Sequence, residues 1–154
     1  MKIRTDFVTN SSSSSFILGF KNEKSIVTEI AENTPYDYVG QLLKDVKEAD
    51  RMTREEVIEE LKEGGRWDVE YELARVLERE GYSYTQAWAY IRTDEGQAKV
   101  QKLLDEWVEE KTGDLNGRSV FVEVEYEDHT DIGCDMEHDI MPGHPNTIVR
   151  FNNH

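Results

Sequence analysis

The chain reads Val120-Phe121-Val122-Glu123-Val124-Glu125-Tyr126-Glu127 over the segment that decides its fold. Apolar side chains alternate with glutamates, and a period of two residues places successive side chains on opposite faces of a β-strand. The pattern therefore predicts a strand with one buried face and one face in water. The tight-turn signal Asn116-Gly117 lies just before it.

Two further segments at the chain ends favour strands. Phe16–Phe20 is a short apolar run of the kind that forms a buried strand, and Thr147–Phe151 predicts a final strand. Ile3–Val8 is a candidate partner for the first of these. The five consecutive serines, Ser11–Ser15, would then form either the connection or a narrow strand edge.

Between these strands, from about residue 25 to residue 111, the apolar residues follow a helical period. Thr34-Pro35 predicts a helix start, with Thr34 as N-cap and Pro35 at the first helical position. Capping boxes predict further starts at Thr53-Arg54-Glu55-Glu56 and Ser83-Tyr84-Thr85-Gln86. Gly64-Gly65 predicts the end of the helix that begins at the first box.

Together these signals predict an α+β fold, in which a small, largely antiparallel sheet from both chain ends packs against a central block of five or six helices. A chain of 154 residues is expected to form a single domain. Its parts are a serine-rich strand segment (1–24), a helical block (25–113), and strands with an acidic loop that contains histidine and cysteine (114–154).

Composition restricts the function classes. The net charge is −15, with 33 acidic against 18 basic residues. Such a surface repels phosphates and anionic lipid, so direct nucleic-acid or membrane binding is disfavoured, whereas a basic protein surface is favoured. The single cysteine gives no internal disulfide, and neither a signal peptide nor a long apolar run is evident. We therefore expect a cytoplasmic protein.

Residues that bind metals or move protons are concentrated near the C-terminus. All four histidines and the only cysteine lie in the last 26 residues, and a loop of about twenty residues is predicted over 128–146. Carboxylates and imidazoles there could hold a divalent metal such as zinc, manganese or magnesium. The candidate ligands are Asp131, Asp135, Glu137, His138 and His154. The alternative is a polar loop whose histidines are ordinary surface residues.

Two other groups are weaker candidates for a site. Cys134 is surrounded by acids that would raise its thiol pKa, which favours a structural or incidental cysteine over a nucleophile. The backbone N–H groups of the serine run could cradle an anion, but no glycine-rich phosphate-binding motif accompanies them. A connector is the simpler interpretation of that run.

A protein-binding surface is also indicated. Aromatic residues at helical spacing mostly predict core packing, but Tyr84 and Tyr90 belong to a group that exceeds what the interior can hold, and they could anchor a partner. The carboxylates of the acidic strand and the following turn would attract a basic partner. They are Glu123, Glu125, Glu127 and Asp128.

The sixteen residues from Lys2 to Ile17 resemble the start of many small proteins from bacteria, their phages and other viruses. That shared opening has the form Lys-Ile-Arg, a short spacer, Phe-Val-Ser/Thr-Asn, a serine run and Phe. Glu137–Pro142, Arg150-Phe151 and His154 are similar to the ending of some of these proteins. No activity is established for the group, so the resemblance implies a bacterial or mobile-element origin and carries over no catalytic residue.

Two functions follow as hypotheses. The leading one is a non-enzymatic module that binds a basic protein face, as nucleic-acid-mimicking inhibitors do. The alternative is a metal-dependent hydrolase or metal-binding protein that uses the C-terminal loop, with Glu137 or Asp135 as ligand or base and His138 and His154 as ligands.

Overall fold

The computed structural model describes residues 13–152 of the chain. This part has the predicted α+β architecture, with six helices and a four-stranded antiparallel sheet. The helices are α1 (Ile26–Asn33), α2 (Tyr36–Glu48), α3 (Arg54–Arg79), α4 (Tyr84–Ile91), α5 (Asp94–Gly113) and α6 (Asp131–Asp135). The strands are β1 (Ser13–Phe20), β2 (Arg51–Met52), β3 (Val120–Glu127) and β4 (Thr147–Asn152).

The sheet has the strand order β2-β3-β1-β4, so the strand nearest the N-terminus has a neighbour on each side. On one side Phe16 lies opposite Val124 of β3, and on the other side it lies opposite Arg150 of β4. A register shift between Ile17 and Leu18 interrupts the second ladder. The strands predicted at both chain ends are confirmed.

Three serines of the predicted connector belong to this central strand. Ser13, Ser14 and Ser15 lie opposite residues 125–127 of β3, and Ser14 is fully buried. The expectation of a connector is therefore wrong for these three serines, because ladder pairing extends the strand beyond its apolar run. Ile3–Val8, the candidate partner strand, lies outside the described residues.

The described residues divide into two compact units, one formed by residues 13–57 and 115–152, the other by residues 58–114. We call them the sheet unit and the helical unit. In the sheet unit, Phe16, Leu18 and Phe20 of β1 share one core with the apolar residues of β3 and with α1 and α2. The single-domain organisation stays a prediction.

In the helical unit, α3 continues past Gly64-Gly65, so the predicted helix end there is wrong. A Cβ built on Gly65 would collide with the ring of Trp107 on α5. The glycine therefore provides room for an aromatic ring, and the helix tolerates its cost in propensity of about 1 kcal/mol. The helix ends near Gly81, whose φ of 107° is the left-handed conformation typical of a helix C-terminus.

Both capping boxes are confirmed. Thr53 Oγ1 accepts from the backbone N–H of Glu56, and the Glu56 carboxylate accepts from the backbone N–H of Thr53 at 2.8 Å. Ser83 and Gln86 make the same reciprocal pair. The helix start predicted at Thr34-Pro35 is wrong in both positions, because α2 begins at Tyr36 and Pro35 is its N-cap residue. The Thr34 hydroxyl makes no cap bond and lies 2.8 Å from Nε2 of His144 instead.

The loop predicted over 128–146 contains helical structure. Thr130 caps α6 by accepting from the N–H of Gly133, and a π-helical turn, Met136–Ile140, follows directly. Met136 and Met141 join the core of the sheet unit, which explains why this polar stretch folds against the sheet. None of the helices within residues 13–152 combines the length and apolar composition needed to cross a bilayer.

Candidate functional site

The C-terminal segment brings one carboxylate into the interior of the sheet unit. Glu137 lies on the π-helical turn and has no exposed surface. The Ser14 hydroxyl donates to Glu137 Oε1 at 3.0 Å, and Nη2 of Arg150 lies 3.7 Å from the same oxygen. Arg150 Nε also donates to the Ser14 hydroxyl, and Asn152 Oδ1 lies 3.2 Å from that hydroxyl. We call these four residues the Glu137 cluster.

Burial of a carboxylate is costly unless it is paired and hydrogen-bonded. Strands β1 and β4 supply both the hydrogen bond and the opposite charge, because they place Ser14 and Arg150 on neighbouring strands beneath the turn. The pairing of Ser14 with Asn152 and of Phe16 with Arg150 fixes this arrangement. The serine run and the last strand thus hold the acidic turn in one position.

The other oxygen of Glu137 faces a candidate cation site. His138 Nε2 lies 3.4 Å from Glu137 Oε2 and 3.8 Å from Asp128 Oδ2. Ligand atoms of Asp128, Glu137 and His138 all lie within 4.8 Å of one another. We call these residues the ligand triad. Two carboxylates and an imidazole suit a divalent cation, and three protein ligands leave room for water. The same geometry also suits a protonated imidazole between two carboxylates.

Within the described part of the chain, two of the five predicted metal ligands come together. Glu137 and His138 meet, whereas Asp131 and Asp135 lie outside the triad, and His154 lies outside the described residues. Asp131 is exposed in the first turn of α6. Asp135 accepts a 2.6 Å hydrogen bond from the Tyr38 hydroxyl, which raises the tyrosine pKa.

Asp128 joins the triad although the sequence indicated it only as a partner contact. It follows the acidic strand directly, and α6 with the π-helical turn then returns the chain to it. No local pattern reveals this return, since it depends on the cap at Thr130 and on the packing of Met136.

Cys134 is half-buried beside the same carboxylates. Burial raises the pKa of its thiol, and the nearby charges of Asp128, Asp135, Asp139 and Glu137 raise it further. The direction expected from the sequence is confirmed. This environment disfavours the thiolate that nucleophilic chemistry requires.

The remaining histidines of the described chain have separate positions. His129 is exposed and its Nδ1 lies 2.9 Å from Glu127. His144 is buried, and its Nδ1 accepts from the backbone N–H of Asn146 at 3.1 Å, so its Nε2 is left to donate to Thr34. Burial lowers the pKa of His144, which keeps the ring neutral. His144 therefore joins two segments of the sheet unit as a structural residue.

The predicted partner-binding residues lie in two places. Glu123, Glu125 and Glu127 are exposed on one face of β3. Tyr84 is 64% exposed on α4, and Tyr90 is half-buried with Lys99 Nζ 5.9 Å from its ring. The core packing expected for the other aromatic residues of the helical unit is wrong for Trp67 and Tyr71, which keep 56% and 40% of their surface exposed.

Comparison of the chain with protein-family models, with curated proteins and with solved structures found no match.

Proposed function

We propose that this chain is a non-enzymatic protein-binding module whose partner presents a basic surface. One observation carries the proposal: six large apolar or aromatic side chains are exposed on the helical unit. Exposed apolar surface of this kind typically marks an interaction site, and aromatic residues dominate the binding energy of interfaces. The six residues are Trp67, Tyr71, Val76, Tyr82, Tyr84 and Leu103.

Several of these aromatic residues line one groove of about 460 Å³. Trp67 stacks on Tyr71 with ring centroids 5.3 Å apart, while Tyr84 and Trp88 line the groove from α4. The Trp88 indole N–H is buried without an acceptor among residues 13–152, so a partner's carbonyl that reached it would gain a hydrogen bond. Rigid rings of this type anchor a partner at low conformational cost.

Charge supports a basic partner. The whole chain carries −15, and exposed glutamates at 123, 125 and 127 follow one another along β3. Such a surface accelerates encounters with a basic protein and rejects acidic ones. A protein that normally holds nucleic-acid phosphates is the partner class that this charge suits, and the chain would then act as its inhibitor. Cytoplasmic location and a bacterial or phage origin belong to the same proposal.

Selection from a random-peptide display library tests the proposal, since it requires no identified partner. We expect the wild-type chain to enrich peptides with net positive charge that bind less well as salt rises. A variant with Trp67→Ala and Tyr84→Ala should lose this enrichment, whereas Tyr36→Ala, which removes an exposed ring from the sheet unit, should retain it. Enrichment of neutral or acidic peptides, or of none, would contradict the proposal.

The ligand triad supports a second candidate, divalent-cation binding. Its ligand atoms are already close together, and one of its carboxylates is held rigidly by the Glu137 cluster. A metal there would lower the pKa of a bound water, as a hydrolase requires. Arg150 opposes this candidate, because its positive charge already neutralises Glu137 in part.

Isothermal titration with zinc, manganese and magnesium tests this candidate on protein without a histidine tag. We expect stoichiometric binding whose affinity falls about tenfold or more in Asp128→Asn and in His138→Ala. The matched control is His129→Ala, which removes an exposed imidazole outside the triad. Equal loss in all three variants, or no binding by the wild type, would eliminate the triad as a metal site.

A further inference from the structure

A second groove lies in the helical unit, between the middle of α3 and the middle of α5. It has a volume of about 440 Å³ and is lined by Val69, Leu73 and Val76 of α3 and by Leu103 and Trp107 of α5. Val69 and Leu73 form a buried floor, whereas Val76 and Leu103 remain 37% and 38% exposed. We call it the α3–α5 groove.

Two carboxylates, Asp68 and Glu72, complete the lining. They stand four residues apart on α3, where like charges repel each other. None of the hydrogen bonds or ion pairs within residues 13–152 joins either carboxylate to a base. Burial and the charge of Glu72 raise the pKa of Asp68, so a cation placed at this rim would relieve the repulsion. The groove therefore combines an apolar floor with an unneutralised acidic rim.

The backbone around the groove decides what shape of ligand fits. All of the lining residues lie within α3 and α5, whose backbone groups are engaged in helical hydrogen bonds. An extended peptide would find no backbone partners there and would leave its own N–H and C=O groups unpaired. A helical ligand satisfies its own backbone and presents apolar side chains to the floor.

We propose that the α3–α5 groove binds an amphipathic helix of the partner protein, with apolar residues on one side and lysine or arginine beside them facing Asp68 and Glu72. This inference rests on the proposed function and specifies its partner. Charge complementarity distinguishes this occupant from a second copy of the chain, because a second copy would bring another acidic rim. The helical unit itself carries fifteen acidic against eight basic residues.

Fluorescence anisotropy with a labelled, designed amphipathic helix of leucine and lysine tests the inference. We expect binding by the wild type, and affinity about tenfold lower when Asp68→Asn and Glu72→Gln are combined. Leu103→Ser, an exposed position, should weaken binding to a similar extent. The matched control combines Glu123→Gln with Glu125→Gln, which removes the same charge from β3 and should change affinity less than about twofold.

The other outcomes separate the two proposals. If the β3 double variant weakened binding as much as the double variant of Asp68 and Glu72, the attraction would come from net charge alone. That result would overturn the groove assignment and leave the peptide-selection result untouched. Tight binding of a leucine–glutamate helix would overturn the role of the acidic rim. A dimer in sedimentation that Leu103→Ser dissociates would assign the groove to a second copy and overturn the inference. If the leucine–lysine helix fails to bind while the library still yields basic peptides, only the groove assignment falls.

Discussion

In the sheet unit the carboxylate of Glu137 is fully buried, whereas in the helical unit Trp67 keeps 56% of its surface exposed. The sheet unit hides a charge and surrounds it with Ser14 and Arg150. The helical unit leaves aromatic rings and the acidic rim of its groove in contact with solvent. Buried polar groups fix a structure, while exposed apolar groups are available to a partner. Under the proposed function, the helical unit is therefore the one that would contact a partner, and the sheet unit the one that would keep a fixed structure.

The largest expected effect is on the stability of the sheet unit, through the pair of Glu137 and Arg150. Arg150→Met keeps much of the length of the side chain but leaves Glu137 buried without its arginine. We expect a loss of about 2–3 kcal/mol in the free energy of unfolding, which is less than for a fully buried pair because Arg150 is partly exposed. Urea denaturation followed by far-UV circular dichroism measures it.

Adding Glu137→Gln to Arg150→Met provides the control for that prediction. The double variant removes both charges and should recover most of the lost stability. All three tryptophans lie in the helical unit, at positions 67, 88 and 107, so their fluorescence reports on that unit alone. If Arg150→Met shifts the fluorescence transition as strongly as the circular dichroism, the two units unfold together and the contrast between them concerns surfaces only.

Gly65→Ala should destabilise the helical unit by about 1–3 kcal/mol, since the new methyl group meets the ring of Trp107. Gly40→Ala is the matched control in the middle of α2. A Cβ there meets nothing within 4 Å, so that substitution should stabilise by about 0.5–1 kcal/mol. Tryptophan fluorescence during urea denaturation reports the first change and circular dichroism the second. A stabilising Gly65→Ala would refute the packing role given to this glycine.

Two helix caps allow an equal perturbation of each unit, because Thr130 caps α6 in the sheet unit and Ser83 caps α4 in the helical unit. Thr130→Ala and Ser83→Ala each remove one cap bond and should each cost about 1 kcal/mol. Ser83→Ala should lower the midpoint of the fluorescence transition, and Thr130→Ala should act on the circular dichroism transition without moving that midpoint. Identical effects of both variants on both signals would show that the units share one unfolding transition.

The smallest expected effect is a change with pH. Because burial lowers the pKa of His144 below its ordinary 6.5, the native state resists a proton that the unfolded chain accepts. The stability that this ring contributes is complete above pH 6.5 and is lost as the pH falls from there through the lower native pKa. Melting temperatures between about pH 8 and pH 5 should decline more steeply for the wild type than for His144→Gln, and parallel curves would argue against a buried neutral ring.

The sequence predicts those features whose causes are local. Alternation at 120–127 gives β3, and Thr53 and Ser83 cap helices through bonds to residues three positions away. It fails where the cause is distant in the chain. Gly65 looks like a helix end but accommodates Trp107, and Thr34 looks like a cap but pairs with His144.

The residues of the candidate site, too, can be predicted from the sequence only where their positions have a local cause. The concentration of histidines and acids near the C-terminus directs attention to Glu137 and His138, whose ligand atoms lie close together in the structure. The burial of Glu137 cannot be predicted locally, because Ser14 lies 123 positions earlier in the chain. Asp128 enters the triad only after α6 turns the chain back, and that turn depends on core packing of Met136.

The position of β1 has a consequence for synthesis of the protein. Its two neighbours, β3 and β4, come from the last quarter of the chain, so most of its contacts are of long range. A nascent chain on the ribosome must therefore carry Phe16–Phe20 without these two neighbours while the intervening helices emerge. Sheet assembly becomes the late, slow event of folding, and shortened translation products would expose this apolar strand to aggregation or to chaperones.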